Sequence, residues 1–545
     1  MRSMLHIHPS GFIAMTFQKH ARTVSLLTLL SRFSGLARDA VQSRVFGAGP
    51  VMDAFALAFQ IPNLFRRLFG EGALTASFLP IYTKLQRDDP QAAKRFAGSI
   101  LSLLVIVLAA ITLLGEIVLT SLPAGNPDQS LTIRLTATML PYMPMVCVVA
   151  LMGTILGVHG RFGPASASPI VLNLAIIVAA LLAWWIPSDS DTANRARIGW
   201  VAIGVIAAGM LQVAWMIWSM RGQQIRPMLD LIGSRAPLLA TIGAALPMML
   251  GLGVFQLNVL VDSLIASYPT SIGSTIFGLQ FPLQQGSNAT INWATRLYEF
   301  PLGVFGISVA TVIFPLLSRQ SNDAPQFMHT LRRGIRLVIF IGMPASAGLL
   351  LVAKPMAATV YQGGRCGPEE VQRIVTVMMA YAPAVVAYSA MQLLTRAFYA
   401  LGNQRTPTQL SMAMVALNLL LNVTLIWTPL NLSGLAWSTT LCAFLQWILL
   451  SRALAKRVGR LMDDAVWKSV GKTFVATAVM SLLTYGVDRM LPFDFSWWGM
   501  LARLISLTAV GGGTMLFVAH KLHMAEWRWA LGMTDAEARS IDSTN

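Results

Sequence analysis

Fourteen apolar stretches of about 20 residues run through this chain, at roughly 23–46, 52–82, 96–122, 132–158, 166–186, 198–219, 238–266, 286–317, 334–353, 372–400, 408–428, 433–451, 469–488 and 498–519. A helix rises about 1.5 Å per residue, so a stretch of this length crosses the hydrocarbon layer of a bilayer, where every backbone polar group must be satisfied within its own segment. The fold class is therefore an all-α polytopic membrane protein. Charged residues make up only 12% of the chain, against roughly 25% in an ordinary soluble protein.

The few charges are unevenly placed. With the N-terminus in the cytoplasm, the inside loops collect Lys84, Arg87, Lys94, Arg95, Arg161, Arg221, Arg226, Arg235, Arg319, Arg332, Arg333, Arg405, Arg452, Lys456, Arg457, Arg460 and Lys468, while the outside loops hold mainly Arg195, Arg197, Lys354, Arg365 and Arg489. This bias sets the orientation, and an even number of spans puts both termini inside, with 1–22 as a cytoplasmic N-terminal segment and 520–545 as a cytoplasmic tail. No cleavage signal follows VSLLTLL, so the first span is read as uncleaved. A formal net charge of +17 would suit nucleic acid, but no basic stripe with interleaved aromatics lies outside the apolar segments, so no nucleic-acid partner is expected. Cys147, Cys366 and Cys442 are scattered and the histidines form no cluster, so no metal site is expected. Without a Walker loop the chain is not expected to hydrolyse nucleotide, which points to a carrier and not an enzyme.

An internal repeat organises the spans. The fourth and fifth contain YMPMVCVVALMGTILGVHGRFGPASASPIVLNLAII, and the tenth and eleventh contain YAPAVVAYSAMQLLTRAFYALGNQRTPTQLSMAMVALNLLLN. Tyr142 and Pro144 match Tyr381 and Pro383; Gly160, Pro164 and Asn173 match Gly402, Pro407 and Asn418. The unit is six spans, giving an N-lobe at 23–220 and a C-lobe at 238–451, with two extra helices at 469–519 outside the repeat. Six is even, so both copies enter the membrane in the same direction, as in transporters built from parallel repeats around a central cavity.

Charge inside the membrane marks the expected site. Arg32, Arg38, Asp39, Arg44, Asp53, Arg66, Arg67 and Glu71 lie within the first two spans, and Arg296 and Glu299 lie in the eighth. Intramembrane ionisable groups are costly and face protein or a wet cavity. Guanidinium forks stay charged and fit phosphate oxygens, so Arg32, Arg38 and Arg296 suit a diphosphate better than a cation or a neutral sugar. The plainer reading makes Arg38 and Arg44 interface-snorkelling residues and places Arg66 and Arg67 at a helix end near headgroups. Asp39 is close enough to pair with an arginine, Asp53 serves as a helix N-cap or an arginine partner, and Arg66, Arg67, Glu71 and Glu299 take supporting or gating roles.

The runs SRFSGLARDA, FGAG followed by Asp53-Ala54-Phe55, PNLFRRLFGEGALTASFLPI and RLYEFPLGVFGISVATVIFPLLS resemble the MurJ (MviN) family of lipid II flippases, within the multidrug/oligosaccharidyl-lipid/polysaccharide exporter superfamily. The resemblance spans about residues 23–520. It implies fourteen helices in two lobes around a cationic cavity, a bacterial inner-membrane location, and transfer of an undecaprenyl-diphosphate-linked peptidoglycan precursor from inner to outer leaflet for cell-wall biogenesis and cell shape. It carries transport-essential positions onto Arg32, Arg38, Asp53, Arg66 and Arg296, and implies that 469–519 forms a groove for the lipid tail. One departure stands out: the segment between Ser267 and Arg296 is longer than the family's turn.

The mechanism expected is alternating access without a cofactor, coupled to the membrane potential or to a cation; the potential supplies about 2.3 kcal/mol per charge per 100 mV. Partners are lipid II, membrane lipids and cell-wall synthesis enzymes. A flippase for another polyprenyl-diphosphate oligosaccharide would keep the same arginines. A drug/cation antiporter of the same superfamily would place acidic groups in the cavity, and a scaffold for cell-wall enzymes would tolerate loss of the arginines.

Overall fold

A computed structural model describes residues 9–530 except 71, 187–189, 222–229, 231, 304–306 and 492–495. It forms two compact units, Met1–Thr275 and Ile276–Asn545. Unit 1 holds α1 (Pro9–Phe46), α2 (Pro50–Phe65), α3 (Ala73–Asp88), α4 (Pro90–Ser121), α5 (Pro127–Met139), α6 (Tyr142–Val158), α7 (Gly163–Trp184), α8 (Asp191–Arg221) and α9 (Arg235–Ser271). Unit 2 holds α10 (Ser287–Pro301), α11 (Ile307–Arg319), α12 (Ala324–Tyr361), α13 (Pro368–Tyr381), α14 (Ala384–Ala400), α15 (Arg405–Leu425), α16 (Ser433–Val458), α17 (Asp464–Met490), α18 (Trp497–Lys521) and a short α19 (Glu526–Ala530).

Helix starts are written in the sequence. Pro50, Pro90 and Pro127 stand in the first turn, where a missing N–H is harmless, and Asp89 and Asn126 cap α4 and α5 by accepting from Gln91 and Ala92 and from Gln129. In unit 2, Asp323, Asp463 and Ser496 cap α12, α17 and α18 in the same way. The two matched glycines of the repeat, Gly160 and Gly402, both sit in the left-handed region, at φ 74° and 70°. Each lets the next amide reach back to close the helix, Arg161 N to Leu156 O and Asn403 N to Phe398 O.

Among the described residues ten helices are long and apolar enough to cross a membrane, or eleven when the pair Pro368–Tyr381 and Ala384–Ala400, bent by 41°, counts as one span. The three expected spans that fall short are the first, second and eighth. The first carries Arg32, Arg38 and Asp39, which lower its hydropathy; the second and eighth, carrying Arg66, Arg67, Arg296 and Glu299, are each divided into two helices too short to cross a bilayer alone.

The repeat also recurs in helix breaks. The second span is divided into α2 and α3 by a π-helical turn at Arg66–Gly70, and the eighth into α10 and α11. The fourth is interrupted at Leu140–Pro141, and the tenth at Ala382–Pro383, because proline lacks the amide and crowds the preceding turn. Interrupted spans in corresponding positions of two halves are the best backbone pointer to a transporter's binding region.

Four boundaries differ from the sequence reading. The helix expected from 23 already begins at Pro9, so 1–22 is not wholly a separate segment. The packing boundary falls after Thr275 and not before 238: α9 packs on α2 and α3, so the seventh span sits in unit 1. The long stretch before Arg296 is the end of α9, a two-stranded turn pairing Thr275–Ile276 with Leu279–Gln280, and the start of α10; Phe277 and Gly278 at its tip have positive φ. The tail after 520 is partly built, with α19 packed on α12 and α18. Within unit 2, α17 and α18 pack on each other and both on α12, while Phe474, Leu482, Ile505 and Phe517 stay exposed, as lipid-facing side chains of a span do.

Candidate functional site

The charged face of α1 resolves into two different arginines. Arg38 is largely buried: its Nε and Nη2 donate to Asp39 Oδ1 at 2.9 and 2.6 Å, and its Nη1 donates to Asn173 Oδ1 on α7 at 3.2 Å. Asn173 in turn donates through Nδ2 to Ser34 Oγ at 2.9 Å and to the Ser31 carbonyl at 3.3 Å. The buried Asp39 carboxylate and the buried Asn173 amide thus hold the guanidinium and tie α1 to α7. The expected Asp39 pairing is present, and the fork of Arg38 is already occupied. Arg32, one to two turns earlier, is exposed and makes no hydrogen bond or ion pair with a described residue. Arg44 is half-buried.

Asp53 is fully buried in the first turn of α2 and accepts a hydrogen bond from Thr270 Oγ1 on α9 at 2.9 Å. The N-cap itself is Gly49, so Asp53 acts one turn further in, as a negative group at the positive end of the helix. Arg66 opens the π-helical turn and donates through Nε to Asn63 Oδ1 at 2.9 Å. Arg67 is exposed and reaches Gln256 Oε1 on α9 at 3.4 Å. Glu71 lies outside the described residues.

In unit 2, Arg296 and Glu299 are exposed on α10, one turn apart. Behind them α10 is anchored by aromatic packing. Tyr298 stacks on Tyr381 with ring centroids 4.6 Å apart, and Trp293 stacks on Tyr361 at 5.4 Å, with the Tyr361 hydroxyl donating to the Trp293 carbonyl. These rings cover one face of α10 and leave Arg296 and Glu299 on the other.

Polar residues that charge alone did not flag complete the picture. Asn173 was visible only as a repeat match to Asn418. Asn418 also proves structural, donating to Ser438 Oγ at 3.1 Å and accepting from Asn422 at 3.2 Å. Gln212 of α8 joins Tyr142 and the Ser168 carbonyl, next to the break in the fourth span. His159, at the C-terminal end of α6, lies 3.1 Å from the Tyr82 hydroxyl, and burial holds its imidazole below the usual value.

The family described as "Lipid II flippase MurJ" matches residues 42–506 of this chain. A "Probable lipid II flippase MurJ" of Vibrio cholerae serotype O1 is 33% identical over 523 residues, covering 91% of this chain and 94% of that protein. Among solved structures, "Lipid II flippase MurJ, inward closed conformation" superposes with a TM-score of 0.74 at 20% identity, covering 94% of this chain and 99% of that one. An inward-facing multidrug resistance MATE family transporter of the MOP superfamily superposes with a TM-score of 0.57 at 13% identity, covering 82% and 95%. The last two likenesses concern the fold.

Proposed function

This chain belongs to the lipid II flippase MurJ family, and we propose that it moves lipid II, the undecaprenyl-diphosphate-linked peptidoglycan precursor, from the inner to the outer leaflet of the bacterial cytoplasmic membrane. The observation that carries the reading is the sign and place of the charge. The three spans that are not plain membrane helices, the first, second and eighth, carry arginines, and the second and eighth are broken at corresponding positions of the repeat. A cation antiporter calls for carboxylates in those places. Here Asp39 is engaged by Arg38, and Asp53 is fully buried against Thr270.

In this reading Arg32 and Arg296 offer guanidinium groups to the diphosphate, and Arg38, held by Asp39 and Asn173, lends positive field and fixes α1 to α7. Asp53 and Arg66 set the position of α2 and its π-helical turn, while Arg67, Glu71 and Glu299 take gating roles. A bound dianion offsets repulsion among the arginines, so substrate favours the closing step of an alternating-access cycle. The membrane potential or a cation resets the carrier, α17 and α18 receive the lipid tail, both termini face the cytoplasm, and the protein works beside cell-wall synthesis enzymes as a carrier, not an enzyme.

The test is lipid II accessibility at the outer face of cells depleted of the protein and complemented with wild type or Arg32→Ala at equal abundance. Wild type is expected to restore outer-leaflet lipid II, and Arg32→Ala to leave it at the depleted level. Equal rescue by both would make Arg32 structural; rescue by neither would transfer the reading to another polyprenyl-diphosphate glycan.

A further inference from the structure

Arg396 is an intramembrane arginine to which no role has yet been given. Arg396 lies in α14, the second half of the bent tenth span, four residues before the helix ends at Ala400. It is half-buried, its Cζ sits 5.5 Å above the ring of Phe314 on α11, and it makes no hydrogen bond or ion pair with a described residue. The contrast with its counterparts is sharp: Arg38, Arg195, Arg336 and Arg503 all have a carboxylate oxygen within 2.6 Å. A guanidinium stacked on an aromatic face keeps its in-plane donors available, because the ring engages the plane and not the fork.

Arg396 is also part of a pattern. Tyr388, Gln392, Thr395, Arg396 and Tyr399 follow the i, i+4, i+7, i+8, i+11 spacing that places side chains on one helix face. None of the five is buried, whereas Ala387, Ala390, Leu393, Leu394, Ala397 and Phe398 on the other side are buried in the unit 2 core. The side chains of Gln392, Thr395, Arg396 and Tyr399 have no hydrogen-bond partner among the described residues. Four such groups on one face of a span are poorly suited to hydrocarbon, where an unsatisfied donor or acceptor is costly. The stripe runs along α14 for roughly 16 Å. At its upper end Tyr388 lies seven residues beyond Tyr381, whose ring stacks on Tyr298, two residues from Arg296. At its lower end Arg396 packs on α11, the continuation of the span that carries Arg296.

We propose that this face of α14 is the loading track for the substrate headgroup in unit 2, and that Arg396 is the guanidinium that receives the phosphates of a lipid-linked diphosphate entering from the inner leaflet. The proposal rests on the flippase reading. The same chemistry would also bind the phosphate of an ordinary anionic phospholipid, with Arg396 then serving only as an interface anchor. Lysine separates the roles. It snorkels to an interface as well as arginine does, but presents a point charge in place of a planar, bidentate fork.

The experiment uses the full chain reconstituted in phosphatidylethanolamine vesicles, with and without phosphatidylglycerol, and reads the half-saturating lipid II concentration and the maximal flipping rate. Arg396→Lys is expected to raise the half-saturating concentration about tenfold, equivalent to losing one charge-assisted hydrogen bond, with little change in maximal rate and no dependence on phosphatidylglycerol. Gln392→Leu, which leaves the charge alone, is expected to raise it about threefold by the loss of one neutral hydrogen bond. It also keeps the test standing should Arg396→Lys fail to fold. Wild-type kinetics in both variants would overturn the loading track, as would an Arg396→Lys defect present only with phosphatidylglycerol. Wild-type protein that flips no lipid II would overturn the flippase reading, and the track with it.

Discussion

Arg336→Leu is expected to release the C-terminal helix from the bundle. Glu526 of α19 is 1% exposed, and its Oε1 accepts from Arg336 Nε at 2.6 Å and from Ser469 Oγ at 2.5 Å. The Arg333 and Arg336 guanidinium groups lie 4.4 and 4.9 Å from the Trp529 ring centroid, and Lys472 Nζ donates to the Leu522 carbonyl at 2.7 Å. Removing Arg336 leaves a buried carboxylate without its cation, a loss of about 2–4 kcal/mol once the partial exposure of the arginine is discounted. A helix of five residues has no stability of its own, so the damage appears as local undocking and not as unfolding of the protein. Limited proteolysis should cut after Leu522 in the variant and not in wild type, with a shift in the emission of Trp527 and Trp529. Adding Glu526→Leu should restore most of the protection, because an apolar pair can replace an ionic one. Unchanged protection in Arg336→Leu would show that the aromatic and apolar contacts alone hold α19.

Asp53→Ala should be the most damaging change in unit 1. The carboxylate is fully buried, accepts from Thr270, and stands in the first turn of α2 where the helix dipole favours a negative group. Truncation removes that hydrogen bond and leaves a cavity between α2 and α9, together worth about 2–4 kcal/mol. Asp53→Asn keeps the shape and a carbonyl acceptor for Thr270, so it should cost about 1–2 kcal/mol. Thr270→Val removes only the donor and should cost about 1 kcal/mol. The thermal midpoint of the purified protein should fall in that order, Asp53→Ala lowest. Flipping should fall further than abundance in Asp53→Ala, because α2 leads directly into the π-helical turn at Arg66–Gly70. If Asp53→Ala melted with wild type, Asp53 would have no role in docking α2 to α9.

Much of this was legible without coordinates. Apolar runs of membrane-spanning length and the matched residues of the repeat are local or periodic features, and most of the helices fall where they indicate. The breaks at Pro141 and Pro383 follow from proline itself, and the turns at Gly160 and Gly402 from glycine. The intramembrane charges were legible as a set, since each stands out from the apolar run around it.

What the sequence by itself determined, then, is that the chain is an all-α membrane protein, how its spans repeat, and which of them carry charge. The tertiary structure alone decided what each charge is free to do. Arg38 has its fork filled by Asn173, 135 positions away, whereas Arg396 rests on Phe314 with its donors open. It also decided that α9 packs with unit 1 through Asp53 and Thr270, 217 positions apart, against the division that the repeat suggests. Hydropathy and helix period arise from neighbours within a few turns and can be read along the chain. The partner of a buried polar group is fixed by which helices pack together, and sequence distance carries no record of that.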